Sequence, residues 1–261
     1  MAVMVAGCAV SRSQTAVGIA DFFLDPVGKP YYLLTDDRLV TGNRLGANTY
    51  SFYDSSLGSP DLIDVANPFQ ILVYYRAYGT VLILDRTLSE LDRIDLFAHS
   101  AIRQPGAIAR SYDNGMWVFD NWNYRLLRLD ERGEVDQQTN NLRLQLGEEG
   151  EPAAIYVDRN SVMLYYPDSS RLAVFTNYGK FQRWVSVPEG SRLSWNPPLL
   201  LGVRDDGTGW RFTPAREGIT TLGVLPAELR TRPKIVAGPR GFLSIDPEEQ
   251  LVTETAYPEK N

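Results

Sequence analysis

The chain has 261 residues, with 26 Lys and Arg against 32 Asp and Glu, giving a net charge of −6. No basic run is longer than two residues, which speaks against a nucleic-acid surface, because phosphate binding draws on clustered Lys and Arg. A single cysteine, Cys8, excludes an internal disulfide and a cysteine-rich zinc site. The 14 Tyr, 10 Phe and 5 Trp suit strands, where aromatic rings pack well on a pleated surface. No apolar stretch reaches the roughly 18 residues that a spanning helix needs.

The first element in chain order is Met1–Cys8 (MAVMVAGC), an apolar run closing on Val5-Ala6-Gly7-Cys8. It resembles the lipobox of bacterial lipoproteins. The resemblance implies cleavage before Cys8 and a diacylglycerol on its thiol. Small residues before the cut let the backbone enter the peptidase, and the polar stretch Ser11–Thr15 would follow as a tether. Only seven uncharged residues precede Cys8, whereas a full signal peptide has a positive n-region and 7–15 apolar residues. The start is therefore expected to lie upstream, or the chain to be truncated. The competing reading of Cys8 is a free thiol in an irregular N-terminus. The expected division is residues 1–13 as signal remnant and tether, and 14–261 as one domain.

Six units then follow, beginning near Phe22, Leu62, Ile108, Ala154, Leu193 and Ile235. Subtraction of these starts gives spacings of 40, 46, 46, 39 and 42 residues. Each unit has a short strand, a turn bearing Asp, Asn, Pro or Gly, a more apolar strand, a polar turn, and two further strands. Such turn residues supply positive φ or side-chain caps. The clearest copy is Tyr112–Val135, with strands expected at Met116–Phe119 and Arg125–Leu129. The stretch Leu88–Ala98 suits either a helical turn or a strand. A period in the 40s built from four short strands predicts an all-β propeller. Six blades are expected, with five as the alternative. A β-sandwich would also give turns every 8–12 residues. Unit six has room for only two or three strands, so Gln14–Ala20 (QTAVGIA) is expected to complete it and remove an open edge.

The turn Asp120-Asn121-Trp122-Asn123-Tyr124-Arg125, followed by Leu126-Leu127, and the turn Asp25-Pro26-Val27-Gly28 resemble NHL-type repeats. In those repeats Asp-x-x-Gly, a strand, Asp-x-x-Asn-x-Arg and a second strand recur. Over roughly Thr15–Glu248 the chain also resembles a group of Bacteroidota propellers with six NHL-like blades, often lipoproteins. Asn67–Asp95 and Ser111–Gly133 are the segments that match best. The resemblance implies the fold and an envelope location, and it implies no established activity.

Chemistry-bearing residues are sparse. His99 is the only histidine, so imidazole-rich metal sites and a choice of triads are out of reach; it reads as a loop or surface residue. The acid pairs Asp36-Asp37, Glu148-Glu149 and Asp205-Asp206 read as solvated turns. No phosphate-cradling glycine motif is present. The expected function is a non-enzymatic, lipid-anchored platform for a protein or glycan partner, with no cofactor, metal or catalytic set. Its expected location is the bacterial envelope, at the outer membrane facing the periplasm, as a monomer. Cys8 is the expected lipidation site. Trp122, Tyr124 and Arg125 are the candidate contact residues, since Trp, Tyr and Arg dominate binding surfaces. The remaining tryptophans, Trp117, Trp184, Trp195 and Trp210, alternate with apolar residues and read as core. The alternative is a hydrolase resembling the calcium-dependent lactonases among six-bladed propellers, with oxygen ligands converging on the axis.

Overall fold

The structure is a computed structural model and describes residues 17–42, 50–147, 150–238, 240–246, 248 and 251–257. Cys8, the whole of the expected remnant and tether, and the pair Glu148-Glu149 lie outside the described residues.

Strands follow one another as antiparallel meanders. Sheet one holds β1 (Ile19–Leu24), β2 (Pro30–Leu34), β3 (Leu39–Thr41) and β4 (Tyr50–Phe52). Sheet two holds β5 (Leu62–Asp64), β6 (Ile71–Tyr75), β7 (Thr80–Leu84) and β8 (Glu90–Asp95). Sheet three holds β9 (Pro105–Arg110), β10 (Met116–Asp120), β11 (Arg125–Leu129) and β12 (Val135–Gln138). Sheet four holds β13 (Ala154–Val157), β14 (Ser161–Tyr166), β15 (Arg171–Thr176) and β16 (Phe181–Ser186). Sheet five holds β17 (Ser191–Asn196), β18 (Leu199–Val203), β19 (Thr208–Thr213) and β20 (Gly218–Val224). A sixth sheet has three strands among the described residues: β21 (Val236–Ala237), β22 (Gly241–Asp246) and β23 (Leu251–Ala256). Five complete four-stranded sheets are thus present, the number held above as the alternative, beside a shorter sixth.

The second and third strands are the apolar ones because both of their faces are covered. β6 and β10 are buried at every position, while β8, at the outer edge, is exposed at all but one. Burial occurs between sheets. Tyr31 and Leu39 of sheet one pack with Ile71 and Leu82 of sheet two. Leu72 and Val81 of sheet two pack with Val118 and Leu127 of sheet three. Trp117 and Phe119 of sheet three pack with Leu164 and Phe175 of sheet four. Met163 and Leu172 of sheet four pack with Trp210 and Phe212 of sheet five. Leu201 and Val203 of sheet five pack with Phe242 of sheet six. Phe22, Tyr32 and Val40 of sheet one then pack with Leu243, Ile245 and Val252 of sheet six. This last core closes the sheets into a ring. First strands of different sheets touch one another, β9 with β5 and β13, and β17 with β21, so these strands line the centre.

Of the expected closing segment Gln14–Ala20, residues 14–16 lie outside the described residues, and the described part does not join sheet six. Ile19 and Ala20 belong to β1, which pairs with β2 of sheet one (Ile19 opposite Leu34) and not with sheet six. The ring is closed by side chains: the Phe22 core, and Lys234, whose Nζ lies 2.9 Å from Asp21 Oδ1 and donates to the Phe22 carbonyl at 2.9 Å.

One turn recurs. Asp25, Asp85 and Asp130 each accept at Oδ1 from the backbone N–H groups two and four residues on, at 2.7–3.0 Å. The residue three positions on has positive φ: Gly28 (83°), Leu88 (61°) and Gly133 (80°). This is the three-residue hairpin with a type I turn and a left-handed bulge residue. It is the physical content of the Asp-x-x-Gly spacing.

Candidate functional site

The six-residue turn after β10 begins with Asp120, a fully buried carboxylate. Its Oδ1 accepts from the backbone N–H of Arg103 (2.9 Å) and Gln104 (2.6 Å). Its Oδ2 accepts from Asn123 N (3.1 Å) and Asn123 Nδ2 (2.6 Å). Asp120 therefore ties the incoming inter-sheet loop to the turn it starts, and a buried charge is tolerated because it is so fully bonded. Asn121 lies over Gly106 of β9, where a Cβ would stand 2.4 Å from Asn121 Oδ1, so a larger residue there would push the Asn121 side chain aside. Asn121 Nδ2 donates to Glu151 at 2.5 Å. The Asn123 carbonyl accepts from Asn141 Nδ2 at 2.8 Å, and the Tyr124 carbonyl from Leu142 N at 2.8 Å.

The three expected contact residues separate. Trp122 projects from the middle of the turn and is 67% exposed. Tyr124 is corrected to a core residue, with 0% exposure. Its ring meets Phe119 edge-on at 5.1 Å, its hydroxyl donates to the Gly150 carbonyl at 2.7 Å, and the Arg143 guanidinium lies 4.3 Å above its face. It faces inward because the turn gives it a left-handed φ of 50°. Arg125 is half-buried, and its NH2 donates to the Ala101 carbonyl at 2.7 Å, so it braces the preceding loop. The segment bonded to this turn also holds an exposed apolar residue that composition does not point to. α1 (Arg143–Leu146), bonded to this turn through Leu142, exposes Leu144 almost completely (97%). The signal was available: Leu142 and Leu146 are both buried and four residues apart, a helical spacing, which leaves Leu144 between them pointing away. Of the tryptophans expected in the core, Trp117 and Trp210 are fully buried, and Trp184 and Trp195 pack partly buried against inter-sheet cores.

The acids sit in turns. Asp36 bonds Arg38 Nε at 2.8 Å, and Asp205-Asp206 lies in the β18–β19 turn. Asp54, Asp85 and Asp206 all have carboxyls held below the usual range. Hydrogen bonds from Ser56, Thr87 and the Thr208 backbone N–H are the leading causes. These are turn caps stabilised as anions, the opposite of an acid poised to donate a proton. Among the described residues no group of three or more His, Cys, Asp or Glu side chains could hold a metal ion. His99 is half-buried at the end of the short 3₁₀ turn Leu96–Ala98, between sheets two and three.

No family model matches the chain, and no curated protein matches it in sequence. Solved structures do. A streptogramin B lyase aligns over 93% of this chain and 84% of its own, at 14% identity and a TM-score of 0.60. A catalytically inactive variant of virginiamycin B lyase from Staphylococcus aureus, with quinupristin, aligns over 94% and 86%, at 13% identity and a TM-score of 0.61. The Pan2 WD40 domain of Neurospora crassa aligns over 92% and 80%, at 10% identity and a TM-score of 0.56. The chain is a β-propeller. Likeness at these identities concerns the fold and carries no activity across. The five four-stranded sheets are its blades, in place of the six first expected, and Trp122 sits on a loop between the second and third strands of blade three.

Proposed function

We propose that this propeller is a non-enzymatic binding platform of the bacterial cell envelope. It presents Trp122 to a protein or glycan partner and is held to the membrane by a lipid on Cys8. The observation that carries the reading is Trp122 itself: a large aromatic, 67% exposed, on a turn fixed by the buried Asp120 carboxylate. A rigid aromatic loses little entropy on binding and supplies much contact area. Leu144, on the segment bonded to this turn, is a second exposed apolar side chain. The lipobox resemblance at Val5–Cys8 supports the anchor. An acidic cluster just after Cys8 would resemble a surface-export signal of Bacteroidota lipoproteins, and the sequence carries none there, which supports the periplasmic side of the outer membrane. The Asp-x-x-Asn-x-Arg turn at Asp120–Arg125 supports an NHL-like subtype and the Bacteroidota propeller group.

Two outcomes test it. The natively expressed protein, taken from detergent-solubilised membranes, is expected to show by intact mass a chain that begins at Cys8 and carries acyl groups. An unacylated chain in the aqueous fraction would remove the anchor. Trp122→Ala is expected to leave stability within about 0.5 kcal/mol of the parent, as for exposed positions generally. The same change should weaken partner capture by roughly 30-fold or more, the loss of a contact hot spot of about 2 kcal/mol. Equal capture by the parent and the variant would move the surface elsewhere. A metal-dependent hydrolase would need a ligand set beyond the acids described above.

A further inference from the structure

An open depression of about 320 Å³ is lined by Ala20 and Asp21 of β1, Arg192 and Leu193 of β17, and Pro233 and Lys234 before β21. We propose that it binds a short aliphatic monocarboxylate, with Arg192 as the clamp. Its volume is at the lower end of the ~300–1,000 Å³ typical of small-molecule sites.

Arg192 is placed there by backbone irregularity. The β17–β18 register shifts between Ser191 and Ser194, and Arg192 has φ 52°. A bulge of this kind re-aims a side chain, and positive φ is uncommon for a long residue outside special sites. The guanidinium is then fixed from one side. NH1 donates to the carbonyls of Leu229 (3.0 Å), Arg230 (3.0 Å) and Arg232 (3.2 Å). Among the described residues Nε and NH2 donate to no protein group. That free edge is the fork that holds both oxygens of a carboxylate.

Charge decides the number of carboxylates. Lys234 is matched by Asp21 at 2.9 Å, and its Nζ also lies 4.1 Å from the centre of the Phe23 ring. Arg192 is the unmatched charge of the lining, so one negative charge completes the site. Ala20, Leu193 and Pro233 form its apolar walls and suit a short hydrocarbon tail over a sugar or a phosphate. The site is separate from Trp122, which lies on blade three.

Butyrate is the probe, with butyramide as its uncharged isostere, titrated into the full chain by calorimetry. Saturable binding of butyrate is expected, with butyramide at least about tenfold weaker, the usual scale of a charge-assisted pair. Arg192→Lys keeps the charge but loses the fork, and Arg192→Gly relieves the backbone; each is expected to weaken butyrate about tenfold or more while the melting transition persists. Absence of saturable butyrate binding to the parent chain overturns the proposal. So does equal binding of butyrate and butyramide, or undiminished binding by a folded Arg192 variant. The comparison of the two probes on the parent chain stands even if both variants fail to fold.

Discussion

Phe22→Ala is expected to destabilise the propeller by about 3–5 kcal/mol, the usual cost of removing a buried Phe ring. For a domain of this size that lowers the melting temperature by roughly 6–20 °C. Phe22 is fully buried in the core that joins blade one to the three-stranded sixth sheet. No strand is exchanged there among the described residues, so the ring relies on this core and on Lys234. Phe22→Leu keeps most of the apolar volume and is expected to cost below about 1.5 kcal/mol. Thermal and urea melts of the three proteins check this. A melt unchanged by Phe22→Ala would mean that the two sheets are joined by something other than this core.

Asp120→Ala is the second large effect. It strips the acceptor from three backbone N–H groups (Arg103, Gln104 and Asn123) and from Asn123 Nδ2. Unmet buried donors cost about 1–3 kcal/mol each, so a loss of about 3 kcal/mol or more is expected by urea melt. Asp120→Asn keeps one acceptor oxygen. Its new NH2 group faces donors on whichever side it takes, so about half of the loss should return. A near-neutral Asp120→Ala would mean that water replaces the carboxylate. Because the same carboxylate shapes the Trp122 turn, Asp120→Asn is also the change expected to blur the contact surface without touching its aromatic.

Most of the fold was legible because its turns are chemical. Arg125–Leu129 was read with its observed ends, and Met116–Phe119 one residue short. The missing residue is Asp120, which looks like a turn former but ends the strand with its carboxylate buried. Leu88–Ala98, left open between strand and helical turn, is both: Glu90–Asp95 is a strand and Leu96–Ala98 a 3₁₀ turn. The misread was at the N-terminus, and its cause is local. β1 shifts register between Ile19 and Asp21. The extra residue, Ala20, breaks the period of two that would have joined Ile19 to Phe22 and Leu24. The irregularity hides the continuity of Ile19 with the rest of β1, and the shortness of unit six then makes the segment look free to complete it.

The candidate site was half legible. The exposure of Trp122 follows from a large aromatic set in a polar turn. Tyr124 was misplaced because a single left-handed residue turns its ring inward, and nothing in the composition announces that. Arg192 was invisible for the same reason: its bulge and its positive φ belong to the pairing of β17 with β18. Both features rest on backbone sign changes at non-glycine residues, where sequence offers the least warning.

The central claim is that the exposed aromatic of blade three meets a partner in the envelope. The most direct measurement places a photo-crosslinking phenylalanine analogue at position 122 in the native cell and reads the adducts by mass after irradiation. The account predicts one dominant crosslinked partner at that position, absent when the analogue replaces exposed Tyr178 on blade four. No adduct at position 122, or the same adducts at both positions, would contradict it.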